Sequence, residues 1–129
     1  MTKLLLDTCT LIWLSSDPGK LSKLAKKTLA MPEHQLTLSE VSIMEICFKA
    51  TSGKLVFPDP PSVWIERQIE AWELDVVSLG RSVMYRAGEL ALHHRDPFDR
   101  LLIASAIEGR ATIVSPDPAL RAYPVSVLW

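Results

Sequence analysis

Cysteine is scarce in this chain. Cys9 and Cys47 are the only two, they form no C-x-x-C pair, and no histidine stands at zinc-ligand spacing from them. A cysteine-based metal site is therefore excluded, and the pair reads as small reduced side chains suited to a core. Cys9, two residues beyond Asp7, could instead line a site. Long apolar runs are missing too. The N-terminal run Leu4-Leu5-Leu6 is cut by Asp7, too soon for a membrane span or the apolar stretch of a signal peptide, so the expected location is the cytoplasm. A net charge of −1 supplies no global basic field to advertise a nucleic-acid partner. There are no repeats, no low-complexity tracts and no linker long enough to divide the chain, so residues 1–129 are expected to form one domain.

What is present is an ordinary globular composition, 48% hydrophobic and 22% charged, in a chain long enough to bury a real core. The charge is unevenly spread: residues 1–54 hold seven lysines against five acids, and residues 55–129 hold seven arginines against ten. Lys20, Lys23, Lys26 and Lys27 fall on or beside one helix. A run of this kind is usually a solvated face; the alternative is a phosphate-contacting face, whose RNA binding would be local and salt-dependent.

Strand and helix signals alternate. Lys3 to Leu6 reads as a buried strand, Thr8 to Leu14 as a helix, and Leu21 to Ala30 as a second helix with Leu21, Leu24, Ala25 and Leu29 on one face. Gln35 to Leu38 is a short strand, and Ser39 caps a helix that Ser52-Gly53 closes. Pro58, Pro60 and Pro61 precede a helix from Ser62 to about Trp72. Leu74 to Leu79 is a strand, Arg81 to Leu92 and Pro97 to Glu108 are helices, Ala111 to Ser115 is a strand, and Val125 to Trp129 alternates like an edge strand. Strands separated by helices imply right-handed crossovers. The expected fold is α/β, a three-layer α/β/α sandwich around a mainly parallel sheet of four or five strands.

Acids stand at the strand ends of this plan. Asp7 ends the first strand, Glu45 lies on the apolar side of a helix, Asp96 and Asp99 open another helix, and Asp117 follows the strand ending near Ser115. In a parallel sheet the strand ends share an edge, and ligands bind in the crevice outside it. Each acid also has a local explanation. Asp7, Asp96 and Asp117 are good helix caps, and Ser42 with Glu45 matches a capping box. Glu45 fits that box poorly, because it shares a face with Val41 and Phe48, which favours a helix starting at Ser39. A carboxylate on that stripe requires a partner, and no nearby residue offers an obvious one, so a metal or another chain is expected. Carboxylate-rich oxygen sites suit Mg²⁺ or Mn²⁺, which can hold a phosphate oxygen and activate water for in-line attack. His93 and His94 lack the i, i+4 spacing of a metal-binding pair and read as surface or loop residues.

Four stretches together resemble the PIN-domain family: Leu4-Leu5-Leu6-Asp7-Thr8; Val41-Ser42 with Glu45-Ile46; His94-Arg95-Asp96-Pro97-Phe98-Asp99-Arg100-Leu101-Leu102-Ile103-Ala104; and Tyr123-Pro124-Val125. Within that family the chain is similar to VapC-type toxins of bacterial toxin–antitoxin pairs. The resemblance implies a Mg²⁺-dependent endoribonuclease, with Mn²⁺ as a substitute, that blocks translation by cutting tRNA or ribosomal RNA. It also implies a small cognate antitoxin and a homodimer. Residue by residue, it makes Asp7 and Asp99 direct metal ligands, and Glu45 and Asp117 ligands or water-orienting groups. Asp96 assists or caps. Ser115-Pro116-Asp117 keeps the hydroxyl of the family's Thr-x-Asp but flanks the acid with prolines.

Rival metal-binding α/β folds lack their own signatures here. A receiver domain requires an acidic pair after the first strand and a late lysine, yet no lysine follows Lys54. A haloacid-dehalogenase phosphatase requires Asp-x-Asp, and Cys9 fills the second slot. The non-enzymatic alternative is a PIN-like module that binds RNA or peptide without cutting. In that case Trp13, Trp64, Trp72 and Trp129 could mark an interface, although core packing is their commoner use.

Overall fold

The computed structural model describes residues 2–129. In chain order the elements are β1 (Lys3–Leu6), α1 (Thr8–Ser16), α2 (Lys23–Leu29), β2 (Gln35–Ser39), α3 (Glu40–Thr51), α4 (Pro61–Ala71), β3 (Asp75–Val77), α5 (Arg81–Glu89), α6 (Pro97–Gly109), β4 (Thr112–Val114) and β5 (Val127–Leu128). Short 3₁₀ turns occupy Pro18–Lys20 and Pro118–Ala122. The five strands pair in the order β3-β2-β1-β4-β5, all parallel. The expected α/β/α sandwich is therefore present, with a sheet parallel throughout.

Alternation along β1 builds the layers. Leu4 and Leu6 face one side with Leu11, Ala25, Leu38, Ile46 and Ile65 from α1–α4 and β2, whereas Leu5 faces the other with Leu102, Ile103 and Ala106 from α6 and Ile113 from β4. A central strand buried on both faces has to be apolar at every position, which is why β1 reads as an unbroken leucine run. Val83 and Ala87 pack α5 onto Ala104 of α6, outside the sheet. All four tryptophans pack against the first of these cores, Trp13 beside Trp129 and Trp64 stacked on Phe57, as core use would have it.

Two helix ends differ from expectation for local reasons. Leu21 closes the turn at Pro18–Lys20, so α2 starts only after Ser22, whose hydroxyl accepts from the Ala25 amide at 3.0 Å. Helix α5 stops at Glu89 rather than Leu92, because its last carbonyls are taken from outside. The Arg100 guanidinium donates to Ala87 and Leu90 through Nη2 (2.8 and 2.7 Å) and to Ala91 and His94 through Nη1 (3.0 and 3.1 Å). Tyr123 Oη adds a bond to Ala91 O at 2.7 Å and accepts from the His94 amide at 2.7 Å. Ser39 caps the start of α3, its hydroxyl accepting from the Val41 amide, and just beyond the end of that helix Gly53 takes φ +78°, a left-handed conformation glycine reaches without strain.

The Arg100 clamp should be costly to remove, since four carbonyls lose a charged donor together. Arg100→Ala is expected to lower unfolding free energy by about 2–3 kcal/mol in urea titration, and Arg100→Lys should recover only part of the loss because an ammonium lacks the planar fork.

Candidate metal centre

Strand order reverses between β1 and β4, the two strands on either side of the crevice where open α/β sheets bind ligands. Asp7 follows β1 directly, and its amide still donates to Val114 O of β4 at 3.2 Å. Asp117 lies three residues past β4. Glu45 stands in α3, which follows β2, and Asp99 stands in the first turn of α6. The acids thus come from four separate elements that meet at one sheet edge.

The capping explanations hold alongside this convergence. Asp7 Oδ1 accepts from the Thr10 amide at 2.7 Å, Asp96 Oδ1 from Phe98 at 2.9 Å, and Asp117 Oδ1 from Ala119 at 2.9 Å. Each carboxylate has a second oxygen, so a cap at one does not exhaust the group. Asp96 is exposed and does the capping its motif predicts. Ser42 is inside α3, so the capping-box alternative for Glu45 falls away.

Asp7 is nearly buried. Burial pushes its carboxyl pKa up, against hydrogen bonds from Ser115, Thr10 and Cys9 that favour the charged form. The Cys9 thiol, 3.5 Å from Asp7 Oδ1, is pushed up to about 12 by burial and by Asp7, so it remains a neutral donor to the site it borders. Ser115 also accepts from the Asp117 amide at 3.1 Å, tying the two acids that flank β1 and β4.

Glu45 corrects one expectation: it does have partners. The Thr8 hydroxyl donates to Oε1 at 2.5 Å, and Lys49, one turn further along α3, reaches Oε2 at 2.9 Å. The i, i+4 spacing of Glu45 and Lys49 was the available signal. Burial lowers the Lys49 pKa, but its bond to Glu45 and the charges of Asp96 and Asp99 outweigh that and raise it.

His94 is the residue that sequence spacing missed. Its Nε2 lies 3.0 Å from Asp99 Oδ2 and 3.1 Å from Asp117 Oδ2. Among the described residues, His94, Asp99 and Asp117 can bring ligand atoms within 4.8 Å of one another, a group that includes neither Asp7 nor Glu45. No local periodicity reveals this, because Arg100 and Tyr123 set the path of the loop from outside it. Asp99 reports the crowding. Burial and Asp96 push its pKa up from 3.8 to about 6, His94 pulls it down, and Glu45 and Asp117 add to the rise.

The donor set fits a divalent cation. Carboxylates dominate, and the positive groups in contact with them are Lys49 and the titratable His94. Because the folded protein holds the Asp99 proton more tightly than the unfolded chain, its stability penalty is absent below about pH 4 and complete above about pH 6. Asp99→Asn should therefore stabilise the metal-free protein at pH 7.5, by about 1 kcal/mol once solvent screening is allowed for, or a few degrees in Tm. The gain should shrink towards zero at pH 4. Millimolar MgCl₂ or MnCl₂ should raise the wild-type Tm and leave that variant nearly unmoved, as thermal denaturation followed by circular dichroism would show.

Relatives agree with this architecture. The PIN-domain family matches residues 4–125 of the chain. Ribonuclease VapC22 of Mycobacterium tuberculosis is 29% identical over 134 aligned positions, which cover 98% of this chain and 99% of that protein. Among solved structures, a chain of DNA-bound VapBC from Salmonella typhimurium superimposes with a TM-score of 0.76 at 17% identity, covering 99% of this chain and 98% of that one. A chain of promoter-bound VapBC2 from Rickettsia felis gives 0.74 at 14% identity, covering 99% of both. With a family match over nearly its whole length and the fold to go with it, this chain belongs to the PIN-domain family.

Proposed function

We propose that the protein is a divalent-metal-dependent endoribonuclease acting as the toxin of a toxin–antitoxin pair. The single observation that carries this reading is the acidic cluster at the sheet's switch point, where Asp99 and Asp117 share His94, Glu45 lies within charge-interaction range of Asp99, and Asp7 ends the adjacent strand β1. The similarity to Ribonuclease VapC22 supports RNA as substrate, and the VapBC neighbours support a small antitoxin as partner. The whole of residues 1–129 serves as one nuclease domain, and translation stops because RNA is cut. A homodimer in the cytoplasm is the working assembly. Among the described residues, no helix is long and apolar enough to cross a membrane.

Asp7, Glu45, Asp99 and Asp117 are the residues that would hold the ion, Mg²⁺ with Mn²⁺ as a substitute. A bound divalent cation there supplies charge neutralisation, a grip on a phosphate oxygen and a more acidic water. The chain's own residues do the rest. Thr8 and Lys49 hold the Glu45 carboxylate at both oxygens, which keeps it oriented without neutralising the cluster. Hydrogen bonds from Ser115, Thr10 and Cys9 favour the charged form of Asp7 against the larger opposing effect of its burial. His94 Nε2 stands between Asp99 and Asp117, within hydrogen-bond reach of both carboxylates, and orients them towards each other. Asp96 assists only as the cap of α6.

Purified protein incubated with total RNA should give discrete fragments in MgCl₂ or MnCl₂ and none in EDTA. Glu45→Gln keeps an acceptor for Thr8 but loses the charge, and should slow cleavage by at least about 100-fold, the scale for removing a preorganised electrostatic group. Unchanged cleavage by Glu45→Gln, or cleavage that persists in EDTA, would overturn the proposal. A non-catalytic PIN-like module would bind RNA or peptide and cut nothing under any of these conditions.

A further inference from the structure

A groove of about 630 Å³ opens directly beside the acids, lined on one wall by Glu45, Phe48, Lys49 and Ser52 of α3 and on the other by residues 95–98, with Lys54 at one end. The α3 residues recur at helical spacing, so one helix face serves the groove along its length. Phe48 is 59% exposed and meets Phe98 edge to face, ring centroids 6.0 Å apart at 72°. Phe98 immediately precedes Asp99, and Phe48 stands three residues beyond Glu45. The aromatic pair is therefore the next feature a bound chain would meet on leaving the carboxylates. Lys54 and Arg95 are exposed, and among the described residues neither makes an ion pair with a side chain.

We propose that this groove is a nucleotide subsite for single-stranded RNA, in which Phe48, braced by Phe98, stacks a base next to the cleavage position while Lys54 and Arg95 hold the flanking phosphates. The inference rests on the ribonuclease reading and adds to it how the strand is held. Charge decides the occupant. Glu45 in this groove is already paired with Lys49, which leaves Lys54 and Arg95 facing Asp96, itself committed to its cap. That balance favours a polyanion carrying flat apolar rings. An aromatic face accepts any base, so the subsite contributes affinity without a base code. It also explains why a large ring stays in water on a helix whose other face reaches the core.

The test uses two fluorescein-labelled probes, a 12-nucleotide oligoadenylate and an abasic ribose-phosphate chain of the same length, titrated with wild-type protein in EDTA by fluorescence anisotropy. The expected result is preference for oligoadenylate, with Phe48→Ala and Phe48→Leu each weakening oligoadenylate about tenfold and leaving the abasic chain unchanged. Lys54→Ala and Arg95→Ala should weaken both probes and each flatten the log–log salt dependence by about 0.7. Phe48 is exposed, so both of its variants should keep the wild-type Tm. Equal weakening of the two probes, or no weakening, would overturn the subsite. So would loss of antitoxin-peptide binding by Phe48→Ala with RNA affinity intact, which would assign the groove to the protein partner. Cleavage in MgCl₂ is scored separately. A protein that cuts RNA but shows no base-dependent binding refutes the groove alone, whereas base-dependent binding without cleavage supports the groove and refutes the nuclease.

Discussion

Carboxylates gathered at one sheet edge are costly to bury and repel one another, and the side chains around them answer both costs. Asp7 is the most constrained of them. It ends a strand buried on both faces, so it cannot turn away into solvent, and the protein surrounds it with donors from Ser115, Thr10 and Cys9. Glu45 is offset by Lys49 and Thr8, and Asp99 with Asp117 is bridged by His94. Burial first, and the neighbouring acids after it, still hold the Asp99 pKa above its ordinary value. A divalent cation bound to such a cluster would offset the remaining cost, and the folded protein would gain stability from it.

The support for this arrangement lies one layer out. Arg100 and Tyr123 both hold the loop after α5 by hydrogen bonds to Ala91 and His94, and that loop carries His94. Arg100 sits on the same helix as Asp99, so the acid and the clamp that holds its bridging histidine move as one body.

Much of this was legible from residue order. The leucine run stopping at Asp7, the Ser39 cap, and alternating strands and helices led to the layered parallel sheet, because those signals are local and agree with one another. The acids could be named for the same reason: each ends an element or shares a face with apolar neighbours. What was not legible is what the chain does with distant residues. Lys49 stands at i, i+4 from Glu45, a local signal that was passed over, and Thr8 reaches the same carboxylate across 37 positions. His94 is the loop residue its spacing suggested, but its approach to Asp117, 23 positions away, could not be read from the sequence. The early stop of α5 had the same origin, since a side chain from α6 took the carbonyls that would have continued it.

The central claim is that these acids exist for cutting RNA rather than for capping helices, and Asp7→Asn separates the two. Asparagine caps as well as aspartate but carries no charge. Growth after induced expression of wild type and Asp7→Asn, with cellular RNA sequenced for new 5′ ends, is the most direct measurement. The account predicts arrest and discrete new ends with the wild type, and neither with the folded variant. Arrest and the same ends from Asp7→Asn would contradict it, because the acid at the end of β1 would then be a cap and nothing more.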